Sequence, residues 1–258
     1  MMKTNDIKSF LDDLVADYNT PDFIESDPVQ FPRRYSKLQD IEIAAFTVAT
    51  IAWGKRPMIL RNAERMLAKM GDSPYDFVMN EDYRALGTAN VHRTFFEHDL
   101  AYMLRGFRQA FLKYGSVENM IGSGNVWDLA TELSKEFRAA NVCNATAHIP
   151  PMRNVSAITD SANSALKRMN MALRWLVRND GIVDLGVWKA LKPSQLYIPL
   201  DVHVGNVARE LGLLSRKSND RRAVEELTAV LREFSSEDPV IYDFALFGAG
   251  VTGRIKKT

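Results

Sequence analysis

The chain has 258 residues, 46% hydrophobic and 25% charged, an ordinary globular composition with enough length to bury a sizeable core. Its 33 Lys and Arg against 32 Asp and Glu leave a formal charge of +1, which argues against a histone-like or polybasic-tail binder but leaves room for a local basic patch. A single cysteine, Cys143, excludes an internal disulfide, a cysteine-rich zinc site and an iron–sulfur cluster held by four cysteines of this chain.

The first residues, MMKTNDIKSFLDDL, are amphipathic and acidic, without the apolar core of a signal peptide. The longest apolar-rich run, Ile41 to Trp53, is too short to span a bilayer. The expectation is a soluble, cytoplasmic protein with no membrane partner. Charge is unevenly spread. Residues 1–137 carry a net −4, residues 138–222 a net +7 and residues 223–258 a net −2. An anionic partner is therefore expected at the basic third.

Helical spacing dominates the chain. Ile7, Phe10, Leu11, Leu14, Val15 and Tyr18 recur on one face of an opening helix, stopped at Asn19-Thr20-Pro21-Asp22. Asp40–Gly54 is apolar nearly all round, which predicts a buried central helix. Arg56–Met70 reads as a third helix, and short elements are expected near 74–79 and 81–86. Phe95–Tyr114 predicts a long amphipathic helix ended by Gly115. Val117–Ile121 and Val126–Arg138 follow. After a loop over 141–155, the next helix is expected to start among the capping residues of 159–164 and to run to about Arg178. Residues 182–200 read as irregular, and helices resume at 202–211, 221–234 and 239–247. Tyr197–Leu200 is the only β-like run, and Pro199 demotes it. The fold class is all-α.

Three motifs bear on chemistry. Gly248-Ala-Gly-Val-Thr-Gly253 matches the dinucleotide-binding pattern, but only five residues follow it and no clear strand precedes it. The expectation is a helix capped by Gly248 and a flexible end. His92 and His98 are six residues apart, a spacing that does not place them together on one helix face, and no metal site is expected. In Tyr197-Ile-Pro-Leu-Asp-Val-His-Val204, Asp201 stands where a helix N-cap belongs. It either caps or serves chemistry beside a helix end that attracts anions, with His203 in the first turn able to meet a phosphate. In Ser164-Ala-Leu-Lys-Arg-Met-Asn170, Lys167 sits at the edge of the apolar face. There it either snorkels to solvent or, in an enclosed pocket, loses its proton and becomes a nucleophile.

Asp201-Val202-His203 with its helix, then Ala223–Phe234 and Asp238–Gly248, resemble the C-terminal catalytic half of the HhH-GPD base-excision DNA glycosylases. Asp-Val-His looks most like the 8-oxoguanine glycosylases, and endonuclease III-type members carry a similar triplet. Asp40–Met70 and Phe95–Ile121 fit the order of upstream elements. The resemblance covers 40–250 loosely and 160–250 better. It implies a two-lobed all-α fold, with 40–155 as one lobe and 1–39 plus 156–258 as the other, and DNA between them.

It also implies a DNA glycosylase, with AP-lyase action, for a damaged base such as an oxidised purine. Lys167 corresponds to the family's nucleophile, supported by the Lys-x-x-Asn spacing to Asn170, and Asp201 to its electrostatic partner. Two departures stand out: Asp160–Ser164 replaces the family's glycine-rich hairpin, and 34 residues separate Lys167 from Asp201. The iron–sulfur cysteines are missing, so neither cluster nor other cofactor is expected. Double-stranded DNA is the expected partner, contacted by His203, Arg153, Arg168 and Lys192 within a basic segment that also holds Arg174, Arg178 and Lys189. Trp53, Trp175, Trp188, Tyr197, Phe244 and Phe247 are candidate walls for an extruded base. A non-catalytic nucleic-acid-binding module and a helical protein-interaction domain are the alternatives.

Overall fold

The computed structural model describes residues 4–122, 124–141, 155–160 and 162–254. Among these the chain is all-α, with twelve α-helices and one two-stranded antiparallel ribbon. Arg153 and Cys143 lie outside the described residues. The chain divides into two compact units, one made of residues up to 25 and from 162 onward, the other of 26–161. The sequence-expected lobe of 40–155 falls inside the latter.

The opening helix α1 (Thr4–Tyr18) buries Ile7, Leu11 and Leu14, and α2 (Pro21–Ser26) follows it after a two-residue break. The unit 26–161 is built around α3 (Leu38–Thr50), every residue of which from Asp40 to Thr50 is buried. A helix apolar on all sides is stable only when surrounded. Its two carboxylates are buried because each has donors to accept from: Glu42 takes the Val117 and Glu118 amides at 3.0 and 2.9 Å, and Asp40 takes the Tyr75 amide and the Ser73 hydroxyl. Thr47 and Thr50 donate back to the carbonyls one turn earlier. The unit continues with α4 (Arg56–Ala68), α5 (Pro74–Met79), the ribbon β1 (Asn90–His92) and β2 (Phe95–Phe96), α6 (Glu97–Tyr114), α7 (Val126–Asn141) and α8 (Ser156–Thr159); α5, α6 and α8 pack on α3, α4 on β1, and α7 on α6. Val117–Ile121 forms a single 3-10 turn over Glu118–Met120 rather than an α-helix, with Glu42 accepting its first amides. His92 is fully buried, its ring nitrogens engaged by Asn62 and the Trp53 carbonyl at 2.9 and 2.8 Å. It is a satisfied core histidine.

The other unit packs α1 with α9 (Lys167–Val177), α10 (Val202–Glu210), α11 (Arg221–Phe234) and α12 (Tyr242–Thr252). Helix α12 lies against both α1 and α10. It does not stop at Gly248, as the sequence suggested, but continues to Thr252 and ends at Gly253 in the left-handed conformation. The reason is tertiary. A Cβ on Gly248 would lie 2.3 Å from the Tyr18 ring, and one on Gly250 would lie 2.9 Å from His203 Cβ. These glycines let α12 approach α1 and α10, so the glycine motif is a close-packing seam within a helix. The irregular 182–200 segment closes the end of α9. Its Leu185 and Trp188 amides satisfy the Trp175 and Leu176 carbonyls there, each at 2.8 Å.

Candidate active site

Helix α9 begins later than its capping-rich approach suggested. Residues 162–166 form a turn, Ser164 pairs with Asp220 in an isolated bridge, and Leu166 takes a left-handed conformation at φ 45°. Such a conformation costs a branched side chain about 1–3 kcal/mol. Burial of the Leu166 side chain, only 1% exposed, holds it there. The Ser164 hydroxyl accepts the Leu166 amide, and Asn170 donates from inside the helix to the Ala165 carbonyl at 3.0 Å. Lys167 is therefore the first residue of α9, not an interior one.

Asp201 is the N-cap of α10. It follows the extended Ile198–Leu200 and places Oδ1 2.9 Å from the Val204 amide. Its other oxygen, Oδ2, lies 3.2 Å from Lys167 Nζ. The lysine side chain is 35% exposed and the aspartate 11%, so the pair sits at the surface with the carboxylate on its inner side. Capping and pairing use different oxygens, and both roles are filled at once.

Beneath the pair runs a buried ionic cluster. Two turns along α9 from Lys167, Arg174 pairs with Asp243 of α12 and with Asp184, and its guanidinium stacks 4.3 Å over the Phe244 ring. One turn further, Arg178 meets Asp180, Asp184 and Asp238 at 2.6, 3.0 and 2.7 Å. Burial pushes the Asp243 carboxyl up to about 6; Arg174 opposes this shift, and the Asp201 charge adds to it. Burial likewise raises Asp184. Of these carboxylates Asp243 is the one that feels the Asp201 charge, and burial favours the neutral forms of Asp243 and Asp184.

The other sequence-derived candidates divide. His203 is exposed in the first turn of α10, its ring 6.1 Å from Phe247 in an edge-on arrangement. Arg168 is half-buried, and desolvation lowers its guanidinium to about 10, still charged at neutral pH. Lys192 is exposed, but its backbone amide bonds to Gln195 within its own turn. Arg174 and Arg178, counted in the sequence among the basic residues available to an anion, are 3% and 2% exposed and fully engaged by aspartates. Among the candidate walls, Trp175, Trp188 and Phe244 are core residues, at most 1% exposed. Phe247 remains half-exposed beside His203, and Tyr197 lies under Arg232.

Among the described residues no group of three or more His, Cys, Asp or Glu is arranged to hold a metal, and no helix is long and apolar enough to cross a membrane. Two contributors to the site were not visible in the sequence: Asp243 behind the pair, and Asn219, whose side chain bonds to the Asp201 carbonyl. They join residues far apart in the chain, and only their polar character hinted at partners.

The helical unit 162–254 thus brings a lysine and an aspartate together as a surface ion pair at the starts of two helices. The DUF2400 family, described as a protein of unknown function, matches residues 27–252, and the chain belongs to that family. No curated protein and no solved structure matches it.

Proposed function

We propose that this protein is a base-excision DNA glycosylase with AP-lyase activity, acting on a damaged base such as an oxidised purine in double-stranded DNA. The observation that carries the reading is the 3.2 Å approach of Lys167 Nζ to Asp201 Oδ2. Cleaving an N-glycosidic bond builds positive charge on the sugar, and a fixed carboxylate stabilises it. Asp201 is such a carboxylate, held in place by the Val204 amide that it caps.

In the proposed reaction Lys167 Nζ, having lost a proton to solvent, attacks the sugar C1′ while Asp201 stays ionised opposite the developing charge. The electron pair of the C1′–base bond leaves with the base, which takes up a proton. Ring opening then gives a protonated Schiff base between Nζ and C1′. Loss of a C2′ proton expels the 3′ phosphate and nicks the strand, and hydrolysis of the Schiff base returns the amine. His203, exposed at the positive end of α10, is suited to a backbone phosphate. Phe247 beside it offers an aromatic face to an extruded base.

Incubation of the full chain with a duplex containing 8-oxoguanine tests the reading. Base release and strand nicking that disappear in Lys167→Ala support it. Tight duplex binding with no release from any lesion would leave a nucleic-acid-binding module, and absence of duplex binding at low salt a protein-interaction domain.

A further inference from the structure

Asp201 is held by more than its own helix. Its carbonyl accepts the first helical bond, from the Gly205 amide at 2.9 Å, and a second from Asn219 Nδ2, also at 2.9 Å. Asn219 lies in the loop between α10 and α11, and its Oδ1 is gripped by Arg209 Nη2. Arg209 in turn fixes the loop by donating from Nε to the Arg216 carbonyl at 2.8 Å. The strap crosses α10 directly over Gly205. A Cβ there would stand 2.8 Å from Asn219 Oδ1 and 3.1 Å from its Nδ2.

The same loop reaches the other half of the pair. Asp220 forms the bridge with Ser164, and the Arg221 amide donates to the Asn163 carbonyl at 3.1 Å. Asn163 and Ser164 belong to the turn that delivers Lys167 to the start of α9. Three consecutive residues, 219 to 221, thus hold the carboxylate side through one hydrogen bond and the amine side through backbone pairing.

We propose that Asn219 is a positioning residue, setting the Lys167–Asp201 separation through its amide N–H on the Asp201 carbonyl. The catalytic meaning of that separation rests on the glycosylase function proposed for the pair; the mechanical role does not. Small displacements of a reacting group have large effects on rate, whereas the loop has other contacts to preserve its fold.

Two variants test this. Asn219→Asp keeps the size and the acceptor facing Arg209 but loses the N–H. Gly205→Ala puts a methyl group under the strap while favouring the helix. The full chain is mixed in excess with an abasic-site duplex and borohydride, and the single-turnover rate and final extent of adduct are read separately. In parallel, hydrogen exchange is followed at the Val204 amide, which the Asp201 carboxylate caps, and at α11 amides as a control. The expected result for both variants is a rate at least about tenfold lower, with unchanged extent and unchanged duplex affinity. The Val204 amide should exchange faster while α11 exchange stays constant. A merely structural role would lower the extent and leave the rate. Wild-type rate with wild-type Val204 exchange in Asn219→Asp would overturn the proposal. If the unmodified protein forms no adduct, the proposed function fails, and the exchange arm alone decides: faster Val204 exchange upholds the positioning role and unchanged exchange overturns it.

Discussion

Lys167 Nζ lies 3.2 Å from Asp201 Oδ2, although 34 residues of chain separate them, and both residues stand at the first turn of a helix. Asp201 caps α10 with one oxygen and faces the lysine with the other. The two roles can be separated by chemistry. Asp201→Asn keeps an oxygen for the Val204 amide and removes the charge, so it should leave stability nearly unchanged. It should also slow base release on the order of a hundredfold or more. Asp201→Ala should show the same loss of activity and an added cost of about 1 kcal/mol from the lost cap. Urea unfolding and single-turnover release on the same preparations measure both.

Asp243 links stability to pH. Burial raises its carboxyl to about 6, against an ordinary 3.8, so the folded protein binds that proton more tightly than the unfolded chain. Its stabilising contribution is complete below about pH 4 and is lost as the pH rises through 6. The stability of the wild type relative to Asp243→Asn should therefore fall by about 2 kcal/mol between pH 4 and pH 7. Denaturant midpoints across that range give the difference. A wild-type protein that gains on the variant with rising pH would refute the assignment.

His203 and Lys192 should behave differently toward DNA. His203 is exposed in the same helical turn as Asp201, whereas Lys192 precedes the separate 3-10 turn over Pro193–Gln195. His203→Ala should weaken binding to an abasic-site duplex several-fold, and Lys192→Ala should change it by less than twofold. Fluorescence anisotropy at fixed salt distinguishes them.

Gly248 is expected to tolerate no side chain. Alanine there gains helix propensity but drives its methyl group into the Tyr18 ring, 2.3 Å from the ideal Cβ position. The clash should prevail, with a net loss of about 1–3 kcal/mol. Thermal unfolding of Gly248→Ala reports it, and Tyr18→Ala in the same chain should relieve part of the strain.

Much of this architecture was legible in local pattern. The all-round apolarity of 40–50 announced a buried helix, and Asp201 after an extended proline-bearing run announced a cap. The start of α9 was not legible, because Asp, Ser and Asn serve equally as helix caps and as turn residues. Here they form a turn that pairs with Asp220. Gly248 and Gly250 resembled a loop because nothing nearby in sequence shows that Tyr18 and His203 press against them. Arg174 and Arg178 counted toward a basic surface. Their partners at 184, 238 and 243 lie beyond the reach of helical spacing, and the two charges are buried. The lysine–aspartate pair itself was suggested only by resemblance to a family; composition and periodicity alone left each residue with a plain structural role.

The proposed function stands or falls on Lys167 as an amine nucleophile paired with Asp201. The most direct measurement is borohydride trapping of the full chain on an abasic-site duplex, followed by peptide mass mapping of the adduct. One covalent adduct per protein is predicted, located on Lys167 and absent in Lys167→Ala even though that variant still binds the duplex. An adduct mapped to another lysine, or none formed at full duplex occupancy, would contradict that role.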